Sequence, residues 1–156
     1  MKPSESNERE ERALLAIHEA GHCVAAHVLG HPIVCASFDD GVRPRWRGDD
    51  PRAHIVEAAI AVAGPTAERR YRAPSPAELE VLWREQWGTD LANARKHIAA
   101  CDADPLVLVL GVELLVREHW TAIERVAAAL EQRGTLTGAE IATLMCPNVR
   151  SWPELT

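Results

Sequence analysis

The chain has 156 residues, of which 47% are hydrophobic, and its formal net charge is −6 at pH 7. This length and apolar content suffice for one core, so we expect a single domain over residues 1–156, with residues 1–7 disordered and residues 147–156 forming a tail. The negative charge argues against nucleic acid as a partner, because a surface that binds phosphates needs an excess of lysine and arginine.

The sequence also argues against a membrane protein. Its first twelve residues, MKPSESNEREER, lack the apolar core of a signal peptide, and its longest apolar run, residues 106–112, is too short to cross a bilayer. The cysteines are widely spaced and form no C-x-x-C pair, which is typical of reduced thiols. We therefore expect no membrane insertion and a cytoplasmic location.

The first predicted helix covers residues 7–29 and contains the pattern H-E-A-G-H at residues 18–22. Side chains four residues apart share a helix face with Cβ atoms about 5–6 Å apart, so two imidazoles can converge on one metal ion. Glu19 lies about 100° around the axis from His18, where it can reach a metal-bound water. This is the H-E-x-x-H pattern of zinc hydrolases, which supplies two ligands and a base and leaves the third ligand open.

In the next segments the apolar residues no longer have helical spacing. Residues 33–38 are β-prone and end in the turn signal Asp39-Asp40-Gly41, which predicts a strand. Residues 41–51 combine glycine, proline and charge without periodicity, and we expect a mobile loop beside the site. A helix over residues 53–71 is expected to be interrupted at Gly64-Pro65.

The remaining segments predict further helices. Ser75 and Glu78 form a capping box for a helix over residues 76–87 that Gly88 ends, and Thr89 is the expected cap of a helix over residues 90–100. One long helix is predicted over residues 105–133, followed by Gly134. Thr137 and Glu140 form a second capping box, for a helix that ends near Met145. Trp83 and Trp87 lie one turn apart, which indicates either a core stripe or a patch for a partner.

Four segments resemble, in order, the FtsH-type peptidase domain, the zinc-metalloprotease half of the membrane-bound AAA proteases. The segments, which together span about residues 13–145, are HEAGHCVAAHVLG, AVAGPTAERRY, GTDLANARKHI and HWTAIERVAAALEQRGTLTGAEI. The resemblance implies a mainly α, zincin-like peptidase domain with a short strand or hairpin next to the active-site helix. It implies that His18, His22 and Asp90 bind zinc and that Glu19 is the catalytic base.

Judged without the resemblance, the third ligand stays open. Asp90 stands in the first turn of a predicted helix, where a carboxylate often only complements the helix dipole. Four other acidic residues are rival ligands: Glu57, Glu68, Asp102 and Glu113.

The resemblance further implies a zinc metalloendopeptidase whose extended substrate pairs with the edge of the strand at 33–38. The sequence contains no G-x-x-x-x-G-K-S/T phosphate loop, so we expect ATP-independent hydrolysis of unfolded or extended polypeptides, or action beside a separate ATPase. A homo-oligomer, usual in the family, is left open. Two alternatives remain: a non-catalytic or regulatory zinc-binding module that recognises peptides, and a different zinc hydrolase with a glutamate ligand.

Overall fold

A computed structural model describes residues 5–44 and 50–146. Over those residues the fold is mainly α, with seven α-helices and one small antiparallel sheet. The helices are α1 (Glu5–Val28), α2 (Pro51–Arg72), α3 (Pro76–Val81), α4 (Gly88–Cys101), α5 (Pro105–Glu118), α6 (Trp120–Arg133) and α7 (Gly138–Met145). The strands are β1 (Ile33–Ser37), β2 (Gly41–Pro44) and β3 (Thr135–Thr137). The predicted mainly α fold, with a hairpin beside the helix of the H-E-x-x-H pattern, is confirmed.

The helix α1 is the centre of the fold, because it packs against both α2 and α6. Its contact with α2 is unusually close. A Cβ atom on Gly21 would lie 2.7 Å from the carbonyl oxygen of Ala63 and 2.8 Å from the Cβ of Ala67, so only glycine fits there. The side chains of α1 on either side of Gly21 are therefore held directly against the α2 backbone.

The sheet has the strand order β2-β1-β3, with both pairs antiparallel. Ala36 of β1 pairs with Val42 of β2 on one side and with Leu136 of β3 on the other. The expectation that the strand at 33–38 offers a free edge is therefore wrong, because β3, which the sequence did not predict, covers its second edge. The terminal strand on the side of the hairpin is β2.

The mobile loop expected over residues 41–51 is partly wrong. Gly41 adopts a φ of 66°, which lets the chain turn back so that Gly41–Pro44 form β2. Residues 45–49 lie outside the described residues. Asp50 then caps α2, since its carboxylate accepts a hydrogen bond from the backbone N–H of Arg52.

The predicted interruption at Gly64-Pro65 is wrong, because α2 runs without a break from Pro51 to Arg72. A proline inside a helix costs about 3 kcal/mol. Every residue from 57 to 68 is buried, so the packing of α2 against its neighbours outweighs that cost.

The boundary between the third and fourth helices also differs from the prediction. The α-helix that starts at the confirmed Ser75 capping box ends at Val81, and Leu82–Gln86 form a π-helical turn. Gly88 begins α4 rather than ending a helix, and Trp87, not Thr89, precedes it. Trp87 is only 1% exposed, so its indole is buried at the point where the chain changes direction.

The long helix predicted over residues 105–133 is two helices, separated where His119 adopts φ −104° and ψ 19°. The break has a packing reason: α5 lies mainly against α2, whereas α6 lies mainly against α1. A single straight helix could not cover both neighbours.

The N-terminal end of the described chain differs from the prediction. The first helix begins at Glu5, so residues 5–7 are helical rather than disordered as expected. Residues 1–4 and the expected tail at 147–156 lie outside the described residues.

Gly30 and Gly134 take positive φ at the predicted helix ends, and the Thr137 capping box is confirmed. Within the described ranges, no helix is both long and apolar enough to span a bilayer.

Candidate metal centre

Three predicted ligands lie together although they come from two distant segments. His18 and His22 lie on the buried face of α1, and Asp90 lies in the first turn of α4. Among the described residues, these three form the group of His, Cys, Asp or Glu side chains whose ligand atoms all lie within 4.8 Å of one another.

The separations between these atoms suit a small cation. His18 Nε2 lies 3.0 Å from Asp90 Oδ2 and 3.1 Å from His22 Nε2, and His22 Nε2 lies 3.6 Å from Asp90 Oδ2. Bonds of about 2.0–2.1 Å in a tetrahedral site place neighbouring ligand atoms roughly 3.3 Å apart. The three donor atoms therefore have a spacing close to that of three ligands of one zinc ion, with a fourth position left over.

The hydrogen bonds on the far side of each imidazole fix which nitrogen faces the cluster. His22 Nδ1 lies 2.7 Å from the carbonyl oxygen of Ile60, which can only accept, so Nδ1 carries the proton. His18 Nδ1 lies 2.9 Å from Glu68 Oε2 and donates to that carboxylate. When the two rings are neutral, both Nε2 atoms therefore present lone pairs toward Asp90. A buried group of three acceptors requires a proton or a metal cation between them.

Glu68, which the sequence indicates only as a rival ligand, supports the ring of His18. Its Oε2 atom accepts hydrogen bonds from His18 Nδ1 and, at 2.8 Å, from the indole N–H of Trp87. A carboxylate behind a histidine orients the ring and makes it a better metal ligand. Trp87 is thus part of the core and also anchors this carboxylate, whereas Trp83 is 42% exposed, so the core interpretation of the tryptophan pair holds for Trp87 alone.

Gly64 also has a role in the site that the sequence does not predict. A Cβ atom at this position would lie 2.4 Å from His22 Nε2 and 2.5 Å from His22 Cε1. The absence of a side chain on Gly64 therefore makes room for the edge of the ring that faces the cluster.

Glu19 lies beside the cluster, as predicted, between α1 and the β-hairpin. It is 8% exposed, and its Oε2 atom is buried without a hydrogen-bond partner among the described residues. A Cβ on Gly41 would lie 3.4 Å from that oxygen, which places the start of β2 directly over the carboxylate. A carboxylate oxygen without a partner, next to three such ligand atoms, is what a base for a metal-bound water requires.

The electrostatics of the cluster favour a positive charge between its three groups. Burial lowers the pKa of His18, but its hydrogen bonds with Asp90 and Glu68 outweigh burial and raise the pKa to about 9. Burial acts to raise the pKa of Asp90, yet contacts with His18 and His22 hold it well below its usual range. Burial raises the pKa of Glu19, against the opposing effect of both histidines.

A cavity of about 250 Å³ opens onto these groups. Its wall includes Gly41 and Val42 of the hairpin, Glu57 of α2 and Asn93 of α4. The cavity thus has the candidate metal position on one wall and the backbone of β2 on another.

The four acidic residues that were rivals of Asp90 for the third ligand position have other contacts or are exposed. Glu57 Oε1 lies 2.8 Å from His31 Nε2, Glu113 forms an ion pair with Arg69, and Asp102 is exposed at the C-terminal end of α4. Only Glu68 approaches a predicted ligand directly, and it does so from behind the ring.

The sequence matches no protein-family model, and no curated protein matches it either. A functional conclusion therefore has to be drawn from the geometry of the site and from the residues that build it.

Proposed function

We propose that this chain is a zinc-dependent metallopeptidase of the FtsH-like type that hydrolyses extended or unfolded polypeptides without ATP. The observation that carries the proposal is the convergence of His18 Nε2, His22 Nε2 and Asp90 Oδ2. Beside them lies Glu19, whose Oε2 atom has no hydrogen-bond partner among the described residues. Zinc fits this set because the donor atoms are two imidazole nitrogens and one carboxylate oxygen, with mutual distances of 3.0 to 3.6 Å.

A zinc ion held by His18, His22 and Asp90 would polarise a scissile carbonyl group and make a bound water more acidic. The protein itself supplies the proton transfer. Glu19, whose pKa is raised by burial, accepts a proton from the attacking water and donates it to the leaving amine nitrogen. Glu68 and the carbonyl of Ile60 hold the two imidazoles in the required tautomer throughout.

The substrate backbone is proposed to pair with the outer edge of β2 rather than with β1, both of whose edges are occupied. Support comes from the position of Gly41 and Val42 on the wall of the same cavity as the predicted ligands. Main-chain pairing accepts many side chains, so broad specificity for extended peptides is expected.

The test is a comparison of the wild type with Glu19→Gln and Asp90→Ala. Zinc content is measured on each purified protein, and cleavage is followed on a chemically unfolded protein and on short peptides. We expect one zinc per chain in the wild type and in Glu19→Gln, with cleavage by Glu19→Gln reduced by about 100-fold or more. Asp90→Ala should lose zinc.

Each other result points to a different function. A wild type that holds zinc and binds an unfolded protein without cutting it would support the peptide-recognition module. Retention of zinc by Asp90→Ala would indicate a different ligand, as in the glutamate-liganded hydrolases. Normal cleavage by zinc-loaded Glu19→Gln would refute the assigned base.

A further inference from the structure

The helix α5 exposes an apolar stripe on the side that faces away from the core. Leu106 and Val107 are each 66% exposed, Leu110 is 51% exposed and Leu114 is 47% exposed. The opposite face of the same helix is buried through Leu108, Val112 and Val116. Isolated exposed leucines are ordinary, but four neighbouring apolar side chains along one helix face are typical of an interaction surface.

The stripe has the spacing of a helix-pairing seam. Val107, Leu110, Leu114 and Arg117 follow one another at intervals of three, four and three residues, which is the spacing of the apolar seam of a coiled coil. Such a narrow stripe suits one partner helix that lies nearly parallel or antiparallel to α5.

We propose that the partner is a second copy of this chain, bound through an antiparallel α5–α5 contact with the two-fold axis between Leu110 and Gly111. A two-fold contact is reciprocal, so every pair occurs twice. This axis places Val107 of each copy against Leu114 of the other, and Leu110 against Gly111. The open space around Gly111 leaves room for that leucine, since a Cβ there would have no neighbour within 4 Å.

The charges at the two ends of α5 favour the antiparallel arrangement. Asp104 precedes the first turn of α5, and its last turn carries Arg117 and Glu118, of which Arg117 follows the spacing of the stripe. The same axis that pairs Val107 with Leu114 places Asp104 of each copy at the level of Arg117 of the other. A parallel arrangement would instead place Asp104 beside Asp104 and Arg117 beside Arg117.

The groove beside the stripe offers a place for the remaining leucine. It lies between α2 and α5, has a volume of about 510 Å³ and is lined by Thr66, Leu110, Leu114 and Val116 together with Glu113 and three arginine side chains. Leu106 lies two helical turns before Glu113 and therefore on the same side of the stripe as this groove, and the two-fold axis places it level with residue 115 of the other copy. Each copy therefore provides both the protruding leucine and the groove that receives it.

A contact made by one 14-residue helix is small, since such a helix is about 21 Å long. The dimer should therefore be reversible, with a dissociation constant in the range of roughly 1 to 100 µM.

Sedimentation velocity of the whole chain, from about 1 to 300 µM, tests the proposal in that affinity range. We expect the wild type to shift from monomer to dimer. Leu110→Glu should remain monomeric, while Val81→Glu, a matched change at a side chain that is 50% exposed on α3, should dimerise like the wild type. Circular dichroism of each variant checks that the fold is intact.

A charge experiment tests the antiparallel register. Arg117→Asp places two carboxylates opposite each other at both ends of the contact and should weaken the dimer by about 10-fold. Adding Asp104→Asn to that variant removes the repulsion and should restore most of the affinity, because asparagine still caps α5. The proposal is overturned by a wild type that stays monomeric at the highest concentration, by equal weakening in Val81→Glu, or by no recovery in the double variant.

Discussion

Replacement of Gly64 by alanine tests whether glycine is needed at this position by the candidate metal centre, because the helix itself would be more stable with alanine. By helix propensity alone, Gly64→Ala should stabilise α2 by about 1 kcal/mol. The new Cβ would, however, lie 2.4 Å from His22 Nε2, and ordinary contact begins at 3.4 Å, so the ring would have to move by about 1 Å. His22 cannot move freely, because its Nδ1 atom is held 2.7 Å from the carbonyl oxygen of Ile60.

The displacement is large compared with what a metal site accepts, since bond lengths in such sites vary by only about 0.2 Å. We expect Gly64→Ala to weaken zinc binding by more than about 100-fold, more than the usual loss of a supporting residue. The unfolding free energy of the metal-free protein should fall by roughly 0 to 2 kcal/mol, because overpacking of the core outweighs the gain in propensity.

Zinc affinity is measured by competition with a chromophoric chelator, and stability by urea unfolding, both at about 0.1 µM protein, roughly tenfold or more below the dissociation constant proposed for the dimer, so that self-association contributes little. Gly111→Ala on α5 is the matched control, because its Cβ would meet no atom within 4 Å. It should bind zinc like the wild type and be more stable by about 0.5–1 kcal/mol. Zinc binding by Gly64→Ala at the wild-type level, or stabilisation equal to that of Gly111→Ala, would refute the reasoning.

Three further predictions concern the groups around the histidines. Glu68→Gln should lower zinc affinity by roughly 10- to 100-fold by weakening the support of His18, and an unchanged affinity in the same chelator competition would contradict that role. Trp87→Phe removes a donor to the buried carboxylate of Glu68 and should reduce the unfolding free energy by about 2–3 kcal/mol in urea, whereas a loss below about 0.5 kcal/mol would show that the indole N–H is dispensable. The pKa of His18 is raised to about 9 in the metal-free fold, above its ordinary 6.5, so the stabilisation from its proton is complete below pH 6.5 and is lost as the pH rises through about 9. Zinc binding at pH 7 should therefore release at least about one proton, because His18 must lose its proton and the metal would also make a bound water more acidic. Calorimetry in two buffers of different ionisation enthalpy that finds no proton release at pH 7 would oppose this.

The parts of the fold that the sequence predicted are those fixed by local chemistry. The two capping boxes, the glycines at positive φ and the i, i+4 histidines all act within one turn of helix, so their consequences can be deduced from neighbouring residues. The third strand and the break at His119 depend on which surfaces α5 and α6 cover, and nothing within a few residues of them encodes that choice.

The candidate site divides in the same way. The positions of His18, Glu19 and His22 relative to one another follow from helix geometry, whereas the arrival of Asp90 beside them was implied only by the resemblance. The role of Glu68 was missed because its partners, His18 and Trp87, are 50 and 19 residues away. Gly64 was interpreted as a helix break, since a sequence does not show which ring lies against a glycine.

The difference in exposure among the three predicted ligands has a consequence for the order in which they would meet a cation. The side chains of His18 and His22 are 10% and 9% exposed, while that of Asp90 is 27% exposed. Solvent therefore reaches the carboxylate more readily than the imidazoles, and its negative charge would attract a cation before they could bind it. If a cation enters past Asp90, this residue should control the rate of metal uptake and the rate of metal removal by a chelator. The two histidines on α1 lie behind it and are already oriented.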